Sequence, residues 1–222
     1  MDKYVVIVAG GSGKRMGTQL PKQFLLVNGK PVLYYTIEAF INAFDDIKII
    51  LVLPFEHLEL GKEIIDGYFD AHKIQIVQGG ETRFHSVANG LQLITNESII
   101  FVHDGVRCLV TPALIELCYH TALETGSAIP VIDCKDSMRL VKDENNEPVD
   151  RTKLKLVQTP QTFHSKILLP AFAIDYKERF TDEATVVEAY GLKVTLVKGE
   201  DTNLKITNPF DLVIAEMVLN KN

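Results

Sequence analysis

The chain has 222 residues, of which 46% are hydrophobic and 23% are charged, and its formal net charge is −6. This length suits one domain with a substantial core, and the composition excludes a fibrous or wholly disordered chain. The negative charge argues against a broad nucleic-acid surface, and no apolar stretch is long enough to span a bilayer.

The expected compartment is the cytoplasm. The segment Met1-Asp2-Lys3 leads directly into a short apolar run, without the basic and long apolar regions of a secretory signal. The cysteines Cys108, Cys118 and Cys134 form no CxxC pair, and the histidines show no HExxH spacing. We therefore expect reduced thiols rather than a disulfide or a protein-bound zinc ion.

Apolar runs alternate with helical patterns along most of the chain. The continuous run at residues 4–8 predicts a strand buried on both faces. Further strands are predicted at residues 47–53, 74–77, 98–102 and 128–132, and helices at residues 30–44, 56–69, 82–94 and 111–124. This alternation predicts an α/β fold: one domain over residues 1–222 with a mainly parallel, Rossmann-like twisted sheet flanked by helices. Loops after parallel strands meet at one edge, where such sheets bind ligands.

One segment interrupts the alternation. Residues 137–141 and 149–157 flank the polar, turn-forming run at residues 142–148. The pattern predicts a β-hairpin arm over residues 137–158. Its apolar side chains, among them Met138 and Leu140, need cover, either from a second subunit or from the arm's own domain.

A glycine-rich loop, Ala-Gly-Gly-Ser-Gly-Lys-Arg-Met-Gly at residues 9–17, follows the first strand. It is not a P-loop, because Val8 and Arg15 stand where that motif requires Gly and Ser or Thr. It is not a dinucleotide fingerprint either, because Met16 stands where the third Gly belongs. A turn of this kind still presents bare backbone N–H groups to an anion.

Positive charge is concentrated around this loop. In residues 1–30 the only acid is Asp2, whereas five residues are basic. Arg15 ends the glycine turn, and Pro21-Lys22-Gln23 supplies a second cation seven residues later. A solvated basic face is the alternative, but the combination of both motifs favours a phosphate-binding site.

The loop resembles that of nucleotidyltransferases that join a sugar or polyol phosphate to a nucleotide. Later segments make the chain similar to the 2-C-methyl-D-erythritol 4-phosphate cytidylyltransferase family, in order over nearly its whole length. These segments are Gly79-Gly80-Glu81-Thr82-Arg83 with Ser86, His103-Asp104-Gly105-Val106-Arg107, Asp136-Ser137-Met138-Arg139, Val149-Asp150-Arg151, Gln158-Thr159-Pro160-Gln161, Thr181-Asp182-Glu183-Ala184 and Asn203-Leu204-Lys205-Ile206-Thr207. Departures are Gly10 and Gly105, where the family more often has Ala, Glu81 for a frequent Asp, and Cys108 for a frequent Pro.

The resemblance implies attack by a polyol phosphate on the α-phosphorus of CTP, with Mg²⁺ held mainly by the triphosphate. It implies that Arg15 and Lys22 stabilise the transition state and that Arg151 and Lys205 position the polyol phosphate. The residues implied to bind CTP are Ala9, Gly10, Gly11, Ser12, Gly13, Gly80, Glu81 and Ser86. Those implied to border the polyol phosphate are Asp104, Arg107 and Ser137. Because Arg151 lies on the predicted arm, the resemblance also implies a homodimer with shared sites.

Two assignments from the residues stay open. Asp104, at the end of a predicted strand, could meet the metal or substrate, or cap the following turn. Glu183 and Glu188 are expected on a solvated helix face.

Three other functions share parts of this pattern. A cytidylyltransferase for another polyol phosphate, such as ribitol 5-phosphate, would share the loop, and the Val149-Asp150-Arg151 triplet argues against it. A nucleotide-sugar glycosyltransferase would need an Asp-x-Asp motif where Asp104-Gly105-Val106 stands. A non-catalytic nucleotide sensor would be expected to have lost the charged residues that serve catalysis, whereas Arg15, Lys22, Arg151 and Lys205 are all present.

Overall fold

The structure, a computed structural model, describes residues 1–11, 20–143 and 145–220. Its helices are α1 Val32–Ala43, α2 Leu58–Tyr68, α3 Arg83–Leu91, α4 Pro112–Thr125, α5 Ser165–Ala171, α6 Glu183–Ala189 and α7 Pro209–Leu219. Its strands are β1 Asp2–Val8, β2 Leu26–Val27, β3 Lys30–Pro31, β4 Ile47–Leu53, β5 Ile74–Gln78, β6 Ser98–Asp104, β7 Ser127–Asp133, β8 Met138–Lys142, β9 Asn145–Val149, β10 Lys155–Val157, β11 Gln161–His164 and β12 Leu196–Lys198.

A mainly parallel sheet forms the centre of the fold. Its strand order is β10-β7-β11-β6-β1-β4-β5, and β12 pairs with β7 at one side. The strands β6, β1, β4 and β5 are parallel to one another, and β11 lies antiparallel between β6 and β7. The predicted fold class is therefore confirmed. The sequence pattern did not predict β11, the antiparallel strand between β6 and β7.

The central strands are covered on both faces, which explains their unbroken apolar character. In β1, Val5 and Ile7 belong to the apolar cluster that includes residues of α1, α2 and α4, whereas Val6 belongs to a second cluster that includes residues of α3, α5 and α6. All three side chains are fully buried. Because successive strand residues point to opposite faces, only a strand buried on both sides needs apolar residues at every position.

Among the predicted helices, one ends earlier than expected and two begin later. The helix expected over residues 82–94 ends at Leu91. The helix expected from residue 30 begins at Val32, because Lys30 and Pro31 pair with the short strand β2. The helix expected from residue 56 begins at Leu58, after a separate 3₁₀ turn at Phe55–His57. Both helices otherwise lie where the apolar pattern placed them.

The arm is shorter than predicted, and we keep the name arm for residues 138–149. It consists of β8 and β9, with Met138 opposite Val149. The expectation that the second strand continues to residue 157 is wrong, because Asp150 caps a 3₁₀ turn by accepting from the backbone N–H of Thr152 at 3.1 Å. After this turn β10 pairs with β7 in the central sheet, with Leu156 opposite Ile132.

The last helix brings one further segment to the ligand-binding edge. Asn208 caps α7, and Ala215 on this helix packs with Val27, Val106 and Ile206. The buried Ile206 thereby fixes the chain next to Lys205. Among the helices of the described residues, none has both the length and the apolar character required for crossing a membrane.

Candidate active site

A cavity of about 580 Å³ lies at the carboxyl ends of β1, β4, β5 and β6. This is the edge at which open α/β sheets bind their ligands. Among the described residues its lining includes Ala9, Gly10, Gly11, Lys22, Phe55, Glu56, Gly80, Glu81, Arg83, Ser86, Asp104 and Lys205. The structure thus brings together the described members of the predicted CTP-binding set with Lys22, Lys205 and Asp104.

Backbone hydrogen bonds extend the sheet into the base of the cavity. The N–H of Ala9 donates to Val52 O at 2.9 Å, and the N–H of Gly105 donates to Val8 O at 2.9 Å. A Cβ atom on Gly105 would lie 2.9 Å from the Cβ of Ala9. Since that distance is too short for two Cβ atoms, the glycine at position 105 permits the two loops to approach this closely.

The loop after β5 is fixed to the first turn of α3. The N–H of Gly80 donates to Ser86 Oγ at 3.1 Å, and Thr82 caps the helix. A Cβ atom on Gly80 would lie 2.4 Å from the Cβ of His85, so a side chain is excluded at this position. The turn therefore presents its backbone, together with Glu81 and Ser86, to the cavity.

The Pro21-Lys22-Gln23 segment connects three parts of the chain. Lys22 is buried, and its Nζ donates to Ile206 O at 2.7 Å. Gln23 Nε2 donates to Ala9 O at 2.6 Å. The ammonium group of Lys22 is thus held at the cavity wall, in a position that a surface lysine would not keep.

Asp104 lies at the centre of a cation cluster formed by Arg83, Arg107 and Lys205. Its carboxylate oxygens are 3.0 Å from Lys205 Nζ, 3.3 Å from Arg83 Nε and 3.5 Å from Arg107 Nε. Burial alone would raise the pKa of Asp104, but the three cations lower it by more than burial raises it, and the net result is a pKa well below the usual range. Asp104 is therefore ionised at neutral pH and orients the cations around it.

Glu183 is a site residue that the sequence analysis placed wrongly. Rather than lying on a solvated face, its side chain is 1% exposed and pairs with Arg83 through both carboxylate oxygens. Burial raises the pKa of Glu183, an effect that Arg83 opposes, and the carboxylates of Glu183 and Asp104 hold the pKa of Arg83 above its usual value despite burial. The sequence feature that could have indicated the burial of Glu183 is its position on the same helix as the apolar residues Ala184, Val186 and Val187, which are buried. Glu188 is exposed, as expected.

The metal assignment of Asp104 does not fit this geometry. Both carboxylate oxygens already contact cations, which would repel a divalent ion at the same place. Among the described residues, no group of three or more His, Cys, Asp or Glu side chains could hold a metal ion. Within this part of the chain, an Mg²⁺ ion would therefore need ligands from the substrate phosphates.

Several predicted site residues do not line the cavity. Arg107 Nη1 donates to Asn203 O at 2.8 Å, so this side chain connects the loop after β6 to the segment before α7. Ser137 and Arg151 are exposed beside the arm, and Arg151 Nη1 donates to Lys135 O at 2.5 Å. Ser12, Gly13 and Arg15 lie outside the described residues.

The cysteines are free and buried. Burial raises the pKa of the Cys108 and Cys118 thiols to about 12, so both remain protonated and unreactive at neutral pH. Cys108, which stands where the similar family often has Pro, packs with Val106 and Leu109 near the cation cluster. All three cysteines are buried, and none of them is among the described residues that line the cavity.

Replacing Glu183 by Ala is expected to lower the free energy of unfolding by about 3 kcal/mol, because Arg83 would lose its buried partner. Chemical denaturation measures this effect. Glu188→Ala on the same helix is the matched control and should leave stability unchanged within about 0.5 kcal/mol. Equal stability of the two variants would show that the Arg83–Glu183 pair does not support the site.

The comparisons with known proteins agree with this geometry. The family model described as 2-C-methyl-D-erythritol 4-phosphate cytidylyltransferase matches residues 3–221. A curated relative of that name from Phocaeicola vulgatus is 48% identical over 219 residues, covering 99% of this chain and 100% of its own, and one from Bacteroides thetaiotaomicron is 47% identical with the same coverage. The solved structure of the Thermus thermophilus enzyme of that name superposes with a TM-score of 0.79 at 32% identity, covering 99% of this chain and 100% of its own. The chain therefore belongs to the 2-C-methyl-D-erythritol 4-phosphate cytidylyltransferase family.

Proposed function

We propose that this chain transfers CMP from CTP to 2-C-methyl-D-erythritol 4-phosphate and releases pyrophosphate. The observation that carries the proposal is a cavity that places Lys22, Arg83 and Lys205 around a glycine turn, in a chain of this family. The curated relatives from Phocaeicola vulgatus and Bacteroides thetaiotaomicron carry the name of this activity.

The proposed reaction needs no general base. A phosphate monoester has a second pKa near 6 and is mostly a dianion at neutral pH. One of its oxygens forms the new bond to the α-phosphorus of CTP, while the bond from that phosphorus to the β-phosphate oxygen breaks and pyrophosphate leaves. The main obstacle is repulsion between two anions, which fixed positive charges relieve.

Lys22 suits a role at the α-phosphate because its ammonium group is buried at the cavity wall and oriented by Ile206 O. A positive charge in such a low-dielectric place interacts more strongly with developing negative charge than it would in water. Arg15, assigned to the same phosphate by resemblance, remains part of this proposal.

Lys205 suits the phosphate of the incoming polyol. Asp104 holds its Nζ at 3.0 Å, yet 41% of the side chain is exposed, so the ammonium group can also donate to a phosphate that enters from solvent. Ser137 and Arg151 would complete this half of the site from a second copy of the chain.

We propose that Mg²⁺ enters as a complex with the CTP triphosphate. This route is consistent with the engagement of Asp104 by the cation cluster, which leaves that carboxylate without a free oxygen for a metal. We further propose a cytoplasmic homodimer formed through the arm, on which Leu140 is 46% and Val141 69% exposed.

The assay that tests the function measures pyrophosphate release from CTP, ATP, GTP and UTP, each combined with several polyol phosphates. We expect the highest kcat/KM for CTP with 2-C-methyl-D-erythritol 4-phosphate, in the presence of Mg²⁺. A clear preference for ribitol 5-phosphate would replace the proposed substrate. Nucleotide binding without turnover of any polyol phosphate would indicate a sensor instead.

Lys22→Ala is expected to lower kcat by about 100-fold, as does the loss of one donor to a transition-state oxyanion. Steady-state kinetics with both substrates varied would measure this. Lys198→Ala, a change in an exposed strand residue outside the cavity, is the control and should keep the wild-type kcat. An unchanged kcat for Lys22→Ala would remove this side chain from the chemistry.

If the sites are shared between subunits, mixing two inactive variants should restore activity. A heterodimer of Lys22→Ala and Arg151→Ala subunits carries one site with both changes and one site with neither. Random reassociation should therefore recover about a quarter of the wild-type rate. Pyrophosphate release before and after mixing measures it, and a mixture that remains inactive despite subunit exchange would place both residues in one subunit's site.

A further inference from the structure

Phe55 is an aromatic residue at the cavity that the sequence analysis assigned to no function. The residue lines the cavity and is 71% exposed. Leaving a phenylalanine ring in water forfeits the free energy that its burial would provide. A large apolar side chain in this position gains contact when a ligand with a flat, weakly polar surface enters.

The backbone under Phe55 is well fixed. The residue begins the 3₁₀ turn Phe55–His57, in which the N–H of His57 donates to Pro54 O at 3.0 Å. The His57 ring packs edge-on against the buried Phe24 at 5.4 Å between centroids. The turn is therefore anchored through His57, while Phe55 on the same turn lines the cavity.

Charge divides the cavity into two ends. The cationic groups gather at the end of β6, where Arg83 and Lys205 contact Asp104 and Lys22 donates to the adjoining Ile206. The end between β4 and β5 instead carries the carboxylates of Glu56 and Glu81. A nucleoside triphosphate would therefore place its phosphates at the β6 end and its uncharged base at the β4–β5 end, next to Phe55.

We propose that Phe55 forms a stacking surface for the cytosine of CTP and so contributes to nucleotide affinity. This inference depends on the proposed function, since it takes CTP as the ligand. Stacking on an aromatic ring is tolerant of base identity, so Phe55 strengthens binding without selecting the base. Discrimination between bases would instead depend on the polar groups of Gly80, Glu81 and Ser86, which line the cavity.

The absence of tryptophan from the sequence gives a direct test. Phe55→Trp introduces a single indole, whose fluorescence should change in a saturable way when CTP with Mg²⁺ is added without any polyol phosphate. Phe210→Trp on α7 is the matched control, because Phe210 is 69% exposed and lies outside the cavity lining. Inorganic tripolyphosphate, which carries the charge but no base, should leave both signals unchanged.

Kinetics provide the second measurement. Phe55→Ala should raise KM for CTP by about 10-fold, the lower part of the range for loss of one stacked base, while KM for the polyol phosphate stays the same. Phe55→Tyr should retain the wild-type KM for CTP. The KM of Phe55→Leu for CTP should lie between those of the wild type and Phe55→Ala. Because the ring is exposed, the melting temperature should not change.

Two results would overturn the stacking role: a Phe55→Trp signal that responds equally to tripolyphosphate, or an unchanged KM for CTP in Phe55→Ala. Either could occur with full cytidylyltransferase turnover, which would leave the proposed function intact. Conversely, a base-dependent signal in Phe55→Trp, together with a wild-type chain that turns over no polyol phosphate, would support stacking and reject the proposed function.

Discussion

The ligand-binding edge depends on one buried carboxylate. Asp104 contacts cations from three segments: Arg83 at the start of α3, Arg107 after β6, and Lys205 before α7. Such a grouping is unfavourable without its central charge, because three cations that repel one another would be partly removed from water. With Glu183 added, three cations face two carboxylates, so the cluster keeps an excess of positive charge. The folded chain thus holds a net positive charge in a fixed arrangement that attracts an anion.

This arrangement explains why the chemistry can proceed without a catalytic acid or base. Reorienting dipoles and charges during a reaction costs free energy, and groups already held in place avoid that cost. Here Lys22 is oriented by Ile206 O, and Lys205 by Asp104. Because Ile206 is anchored in the core beneath α7, packing at the far end of the chain determines where both ammonium groups lie.

The parts of the fold that the sequence predicted are those set by local pattern. The strands β1 and β4 could be predicted because burial on both faces requires continuous apolar runs. The second strand of the arm was misplaced because Leu154 and Leu156 alternate as an arm strand would, whereas the cap formed by Asp150 and the pairing with β7 decide the outcome. Glu183 was misplaced because its partner Arg83 is 100 residues away in the sequence.

The division of the site between cavity and arm bears on substrate choice. The described residues assigned to the nucleotide line the cavity, as do Asp104 and Lys205 from the set assigned to the polyol phosphate, whereas Ser137 and Arg151 from that set lie beside the arm. The arm projects from the sheet, and its exposed residues such as Val141 contribute little to the core. Changes there would cost little stability, whereas changes to Gly80, Gly105 or Asp104 would disturb packing or charge balance. Substitutions in the arm could therefore change the specificity for the polyol phosphate without changing the specificity for the nucleotide. Discrimination between methylerythritol and ribitol phosphates is expected to depend on the arm rather than on the glycine loop.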